Sequence, residues 1–196
     1  MSYLVGRAYF MPIVERIANI TDLDFIYGCI LYGARKGHYS FNAENPEIVK
    51  SMKHEMQSVV NRQLLLDQRR ALASVFMQNN KRVAMLIMSE AASTESGVEV
   101  YALSVVRKYQ NKGYASRIVD ALLSQHQTSA IYARCSPSSE KMSALLLRRG
   151  FEFNSMDDDY KIFLRHPLDA PDPVYLTSLS YSKMSAEKNM SKLSIS

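Results

Sequence analysis

The stretch that most constrains this chain runs from Val98 to Leu123. Val98–Val106 has the character of a strand. Ala115, Ile118, Val119, Leu122 and Leu123 then recur at the i, i+3, i+4, i+7, i+8 spacing of one buried helix face. Between the two lies Gln110-x-x-Gly113-x-Ala115. Gly113 lets the backbone approach a ligand closely, and the first N–H groups of the following helix have no partner inside it. Such a helix start offers fixed donors at the positive end of the macrodipole and suits a phosphate. Arg107, Lys108, Lys112 and Arg117 add positive charge around it. The same spacing also describes a plain strand–turn–helix corner with a solvated basic face, and spacing alone does not separate the two.

The remaining elements fall into place around that corner. Pro12–Ile20 is strand-like, and Thr21-x-x-Asp24 has the form of a capping box for a helix reaching about Arg35. After a loop at Gly37–Phe41, Asn45-Pro46-Glu47 opens a second helix as N-cap, first-turn proline and dipole-matching acid. Ile48, Met52, Met56 and Val60 line its apolar face, widened by Val49 and Val59. Lys50, Lys53, His54 and Glu55 fall mostly elsewhere. Leu72–Met77 and Arg82–Met88 form strands around Asn79-Asn80, a pair that tolerates the positive φ of a hairpin turn. Glu90–Gly97 is a polar loop and Ala130–Cys135 a short strand. Ser136-Pro137 caps a further helix that carries Arg148 and Arg149 at its end and stops at Gly150. Phe151–Phe153 and Tyr160–Leu164 make a last hairpin around Asp157, Asp158 and Asp159. The order β-α-α-β-β-β-α-β-α-β-β predicts an α/β fold with a mixed β-sheet flanked by helices.

Past Pro167 the composition turns to Pro171, Pro173 and a Ser- and Lys-rich run. The expected division is a folded domain over 1–167 and a flexible tail over 168–196. A chain of 196 residues suffices for one domain with a real core. No run approaches the ~20 apolar residues of a membrane helix. Met1–Phe10 lacks the layout of a secretory signal. Cys29 and Cys135 sit in apolar runs without metal-ligand spacing, as buried free thiols do. These features describe a cytoplasmic protein with no membrane partner. The formal charge is +5, but the basic residues form no long stripe interleaved with aromatics. A highly phosphorylated cofactor accounts for the 107–117 cluster with less assumption than nucleic acid. His38, His54, His126 and His166 are too scattered to suggest a metal site.

Leu103-x-Val105 followed by Tyr109-Gln110-x-x-Gly113-x-Ala115 resembles the signature of the GNAT superfamily of acetyl-CoA-dependent N-acetyltransferases. A second family signature is met in part by Ser139-x-x-Met142-x-x-Leu145-Leu146-x-x-x-Gly150-Phe151. Leu146 stands where the family usually has Tyr, and Arg107 where it usually has Pro. The likeness covers about residues 13 to 166. It implies a GNAT fold in which Val98–Val106 and Ala130–Cys135 splay apart to admit the pantetheine arm. It further implies that backbone amides of Gln110, Asn111, Lys112, Gly113, Tyr114, Ala115 and Ser116 hold the pyrophosphate. The N–H groups of Leu103 and Val105 would face the acetyl and pantetheine groups, with Ser139 also at the cofactor. The implied function is transfer of an acetyl group from acetyl-CoA to an amine, whether a protein lysine, an N-terminus or a small molecule. The alternative is an acyl-CoA-binding module without catalysis.

Acetyl transfer requires that the amine lose a proton and that the oxyanion and leaving thiolate be stabilised. Glu99 is the candidate base. It lies on the strand eleven residues before Gln110, where the histone-acetyltransferase branch of the family carries its catalytic Glu. Between Val98 and Val100, desolvation would raise its proton affinity, although a salt-bridged strand residue has the same local sequence. Leu146 cannot act as an acid. Tyr132, Ser143 and Tyr160 are unranked substitutes. A thiol pKa of about 8.5 lets many thiolates leave unaided. Asp157, Asp158 and Asp159 either draw in a cationic amine or merely keep a turn soluble.

Overall fold

The computed structural model describes residues 12–92, 97–157 and 159–168. The expectations for Met1–Phe10, for Asp158 and for the tail from 169 onward therefore lie outside the described residues. The elements are β1 (Val14–Ile17), α1 (Leu23–Arg35), α2 (Pro46–Arg62), β2 (Ala71–Gln78), β3 (Lys81–Glu90), β4 (Gly97–Val105), α3 (Tyr114–Gln125), β5 (Ala130–Cys135), α4 (Glu140–Leu147), β6 (Glu152–Met156) and β7 (Lys161–Arg165). This is the expected order. Among the described residues one seven-stranded sheet runs β1-β2-β3-β4-β5-β7-β6. Its pairs are antiparallel except β4–β5, which is parallel.

The central strands are buried on both faces, which explains their near-continuous apolar runs. Ala73 and Val75 of β2, Met85 and Ile87 of β3 and Ala102 of β4 pack with Ile26, Cys29, Ile30, Met56 and Val59 of α1 and α2. Phe76, Ala84 and Leu86 face Tyr114 and Ile118 of α3 on the opposite side. There Val119 and Leu122 also meet β5, α4 and β7 through Ile131, Ala133, Cys135, Leu145, Leu146 and Phe163. The sheet thus separates an α1/α2 face from an α3/α4 face.

Local signals hold where they are purely local. Asn45 caps α2 by accepting from the N–H groups of Glu47 and Ile48, at 3.0 and 3.4 Å. Asn79 and Asn80 take φ of 48° and 58° and close the β2–β3 hairpin. Three boundaries differ. The capping box lies two residues earlier than Thr21–Asp24: Asn19 and Asp22 make it, on a short turn at Ile20–Asp22 that leads into α1. Ser136-Pro137 belongs to a loop, and α4 starts at Glu140 after Ser139. On α2, Ile48 is exposed and the buried residues are Met56 and Val59. The apolar face otherwise runs as expected, through Met52, Met56, Val59 and Val60.

The box position matters because Asp22 has no exposed surface and serves as an electrostatic lock. Arg16 donates to both of its oxygens, at 2.6 and 2.8 Å, and Arg82 Nε donates to Oδ1 at 2.7 Å. The Asn19 N–H adds a fourth contact at 3.0 Å. This joins β1, the α1 entrance and β3. The Arg16 hydrogen bonds, helped by Asn19 and Arg82, hold the Asp22 carboxyl well below the usual carboxylate range against the opposing effect of burial. Asp22→Ala should cost roughly 2–4 kcal/mol in urea unfolding at pH 7, since it strips partners from two half-exposed guanidinium groups. The lowered folded value means that this contribution is complete above the unfolded pKa of about 3.9 and is lost as pH falls through the folded one. The gap between wild type and Asp22→Ala should therefore close below about pH 4.

Candidate functional site

The cleft is made by two strands that stop pairing. β4 and β5 pair only over Gly97–Val100 and Ala130–Ala133. β4 runs on to Val105 and β5 to Cys135, so their C-terminal ends part. A bulge sits at the fork: on β3, Ile87 pairs with Ala102 and the next residue, Met88, with Val100. Tyr101 is the extra residue, and such an insertion bends its strand and re-aims side chains.

Beyond the bulge the backbone polarity of β4 can be assigned. Val106 N–H donates to Val83 O on β3 at 2.9 Å. Because backbone groups alternate sides along a strand, Ser104 and Ala102 also turn toward β3, and Leu103 and Val105 turn toward the gap. The Val105 carbonyl on that side accepts from the Gln110 side chain at 2.9 Å. Gln110 therefore ties the loop back onto its own strand.

Past that tie the chain turns through Asn111 at φ 59° and Gly113 at φ 78° into α3. Glycine is favoured at the second position on conformational grounds, and a Cβ built there meets nothing within 4 Å. The space beside Gly113 is open. The first recorded bond of α3 runs from Arg117 N–H to Gly113 O at 3.1 Å, so the N–H groups of Tyr114, Ala115 and Ser116 precede the helical ladder. Lys108 and Lys112 both place their ammonium groups over the Tyr109 ring, 5.1 and 5.8 Å from its centre. Lys141, from the first turn of α4, reaches Asn111 Oδ1 at 3.5 Å. Tyr114 is itself buried and donates its hydroxyl to Gln78, so only its backbone is on offer to a ligand. Ser139 precedes α4; its hydroxyl lies 3.0 Å from His38 Nδ1 and 3.1 Å from the Ser136 hydroxyl. The α1–α2 loop is further tied to the β6–β7 turn, where Ser40 N–H donates to the Tyr160 hydroxyl at 2.8 Å.

Glu99 lies on the α1/α2 face and is buried, but not among apolar groups alone as expected. Its Oε2 accepts from Arg69 at 2.8 Å and its Oε1 lies 2.9 Å from Arg134 Nε. Arg69 also binds Asp67 at 2.8 Å, and Arg134 reaches Asp157 at 3.4 Å. Three carboxylates and two guanidinium groups thus form one chain under the fork. These partners are about thirty residues or more from Glu99 in sequence, so no local pattern announces them. Burial opposes the charge of Asp67, yet Arg69 holds its carboxyl below the ordinary value.

A residue assigned elsewhere in the sequence reading joins this cluster. Glu55 of α2 is half-buried, and burial raises its carboxyl above the ordinary value, only partly offset by nearby Tyr101, Leu66 and Arg69. Burial likewise raises Tyr101, with the Glu55 charge adding to the effect, so the phenol is neutral. The signal was present: Met52, Glu55, Met56 and Val59 stand at i, i+3, i+4, i+7, which puts an acid within the buried stripe.

Of the suggested acid substitutes, Tyr132 and Ser143 are buried, and Tyr160 is engaged with Ser40. Leu146 is only 2% exposed within the α3/α4 core, so a tyrosine side chain there would overpack it by roughly 1–3 kcal/mol. Cys29 and Cys135 are free and buried, their thiols pushed up to about 11 by desolvation.

The sequence matches the Acetyltransferase (GNAT) family over residues 39–151, more than half of the chain. Solved structures share the fold. The histone acetyltransferase HPA2 and related acetyltransferase from Corynebacterium glutamicum gives a TM-score of 0.59 at 14% identity, covering 83% of this chain and 99% of that one. The PaiA N-acetyltransferase from Thermoplasma acidophilum, in complex with coenzyme A, gives 0.57 at 11% identity, with 80% and 99% covered. Spermidine N-acetyltransferase from Vibrio cholerae, in complex with CoA and spermine, gives 0.57 at 12%, with 78% and 92% covered. At such identities the likeness is one of fold. No curated protein matches the sequence.

Because the Gly113 Cβ position is empty and its φ is left-handed, Gly113→Ala should fold at a cost of about 1 kcal/mol, from backbone strain alone. Urea unfolding checks this. A much larger loss would mean that the loop is packed shut.

Proposed function

Since the chain belongs to the GNAT acetyltransferase family, we propose that it moves an acetyl group from acetyl-CoA to an amine, with the cofactor lying in the gap between β4 and β5. The observation that carries this is the coincidence of two sets of unused backbone donors. The gap-side N–H groups of Leu103 and Val105 face the cofactor's arm, and the N–H groups at the start of α3 face its pyrophosphate. Gln110, Asn111, Lys112, Gly113, Tyr114, Ala115 and Ser116 make the phosphate loop, with Lys141 supplying further charge nearby. Ser139 contacts the arm through its hydroxyl.

Acetyl-CoA supplies the activated acyl group, and the chain supplies position and electrostatics. An extended arm laid along β4 would replace the missing β5 ladder with its own amides. That would satisfy backbone groups otherwise left to water. The acceptor approaches from the α1/α2 face, where Asp67, Glu99 and Asp157 outnumber Arg69 and Arg134 and favour a cation. Glu99 is the base expected from the sequence, and each of its oxygens already meets one guanidinium group. A second reading, an acyl-CoA-binding module without turnover, rests on Leu146, which is core where the family usually has an acid. Release of CoA from acetyl-CoA that depends on an added lysine peptide, N-terminal peptide or polyamine separates the two.

Acetyl-CoA at about 100 times its dissociation constant should stabilise the protein by roughly 2.7 kcal/mol, read as a rise in Tm. Gly113→Asp should remove that rise while still folding, because it puts a carboxylate where the phosphate sits. Absence of any acetyl-CoA-dependent rise in the wild type would end the proposal.

A further inference from the structure

We propose that Ser139 selects an amide N–H of the cofactor's arm, because a chain of hydrogen bonds from His38 leaves its hydroxyl able only to accept; this rests on the acetyltransferase reading above. Ser139 belongs to the segment that borders the gap from the β5 side. Ser136 follows directly on Cys135, beyond the last β4–β5 pair. Two residues past Ser139, Lys141 reaches Asn111 Oδ1 of the phosphate loop at 3.5 Å. His38 comes from the α1–α2 loop, which is held on its other side by the Ser40 N–H donating to the Tyr160 hydroxyl at 2.8 Å.

Among the described residues, five contacts join His38, three serine hydroxyls and one carbonyl. The Ser136 and Ser138 hydroxyls both reach the Gly37 carbonyl, Ser136 at 2.7 Å. Ser136 Oγ is also 2.9 Å from Ser138 Oγ and 3.1 Å from Ser139 Oγ. Ser139 Oγ lies 3.0 Å from His38 Nδ1. Three hydroxyls carry three protons, so alone they satisfy only three of these contacts. A proton on His38 Nδ1 satisfies a fourth. In every arrangement that satisfies four, Nδ1 donates to Ser139, and Ser139 donates to Ser136, its one other partner. Ser136 is only 4% exposed, so water is a poor substitute for these partners.

The Ser139 oxygen then has one lone pair left and no proton to offer. The arm of coenzyme A carries two amides, each with one donor and one acceptor. An arm carbonyl would have to take the Ser139 proton away from Ser136 and leave a buried hydroxyl short of a partner. An arm N–H adds a bond and breaks none. Ser139 is therefore a specificity-determining residue for the cofactor. His38, which touches Ser139 and not the ligand, is a positioning residue whose Nδ1 carries the proton whether the ring is neutral or charged.

Two measurements on the full chain test this. Nitrogen-15 NMR of the histidine rings, in ligand-free protein at alkaline pH where imidazoles are neutral, reads the tautomer directly. The His38 signals are those missing in His38→Asn. They should show the proton on Nδ1 in the wild type, and a shift toward Nε2 in Ser139→Ala. A wild-type ring with its proton on Nε2 would overturn the assignment. The second measurement is calorimetric titration with CoA and with two analogues, in each of which one arm amide is replaced by an ester. The ester keeps the carbonyl and loses the N–H. One of the two should bind the wild type roughly five- to tenfold more weakly than CoA does, the worth of one neutral hydrogen bond. Ser139→Ala should bind that analogue and CoA alike. A wild type indifferent to both esters, or a Ser139→Ala variant that still discriminates, would overturn the inference while leaving cofactor binding intact. Failure of the wild type to bind CoA at all would instead remove the acetyltransferase reading beneath it.

Discussion

Everything distinctive in this fold follows from β4 and β5 pairing for four residues and then separating. A parallel pair buried between helices would ordinarily continue its ladder, because unpaired backbone groups inside a protein are costly. Here the inserted Tyr101 bends β4 while β5 stays joined to β7 through Cys135. The donors freed on β4 then line a cleft that ends at the start of α3. Two weak binding features, a strand edge and a helix start, become one continuous surface because Gln110 fastens the intervening loop to Val105. The geometry suits an extended, amide-bearing ligand with a phosphate at one end.

The two faces of the sheet divide the chemistry. On the α3/α4 side the cleft is bordered by lysines and backbone N–H groups. On the α1/α2 side it is bordered by an ion-pair chain from Asp67 to Asp157 in which arginine and carboxylate alternate. An isolated buried carboxylate at position 99 would carry a desolvation penalty of several kcal/mol, so two guanidinium partners are what make it tolerable. The same pairing engages both oxygens of the residue that the sequence marks as the candidate base.

Much of this was legible before the fold was known, and the division is physical. Gly113, the Asn79-Asn80 turn and the Asn45 cap were readable because each is determined by the conformational limits of a few adjacent residues. The element order followed from periodicity. On α2 only Ile48 departs from the expected face, because a stripe that steps by four drifts around a helix of 3.6 residues per turn and turns outward at its end. The face that packs runs through Met52, Met56, Val59 and Val60. The partners of Glu99 were illegible for another reason. Arg69 and Arg134 meet it only after β2, β4 and β5 are assembled, and no spacing along one element encodes that meeting. The Asp22 lock was hidden similarly, since a capping residue and two distant arginines converge only in three dimensions.

The central claim, that the β4–β5 gap and the start of α3 together hold coenzyme A, is tested most directly by residue-resolved amide NMR during titration with CoA. The account predicts that the largest shifts fall on the N–H groups of Leu103, Val105 and Gly113–Ser116, with protection of Leu103 and Val105 from solvent exchange. Saturable binding whose shifts lie elsewhere, leaving those amides unmoved, would contradict it.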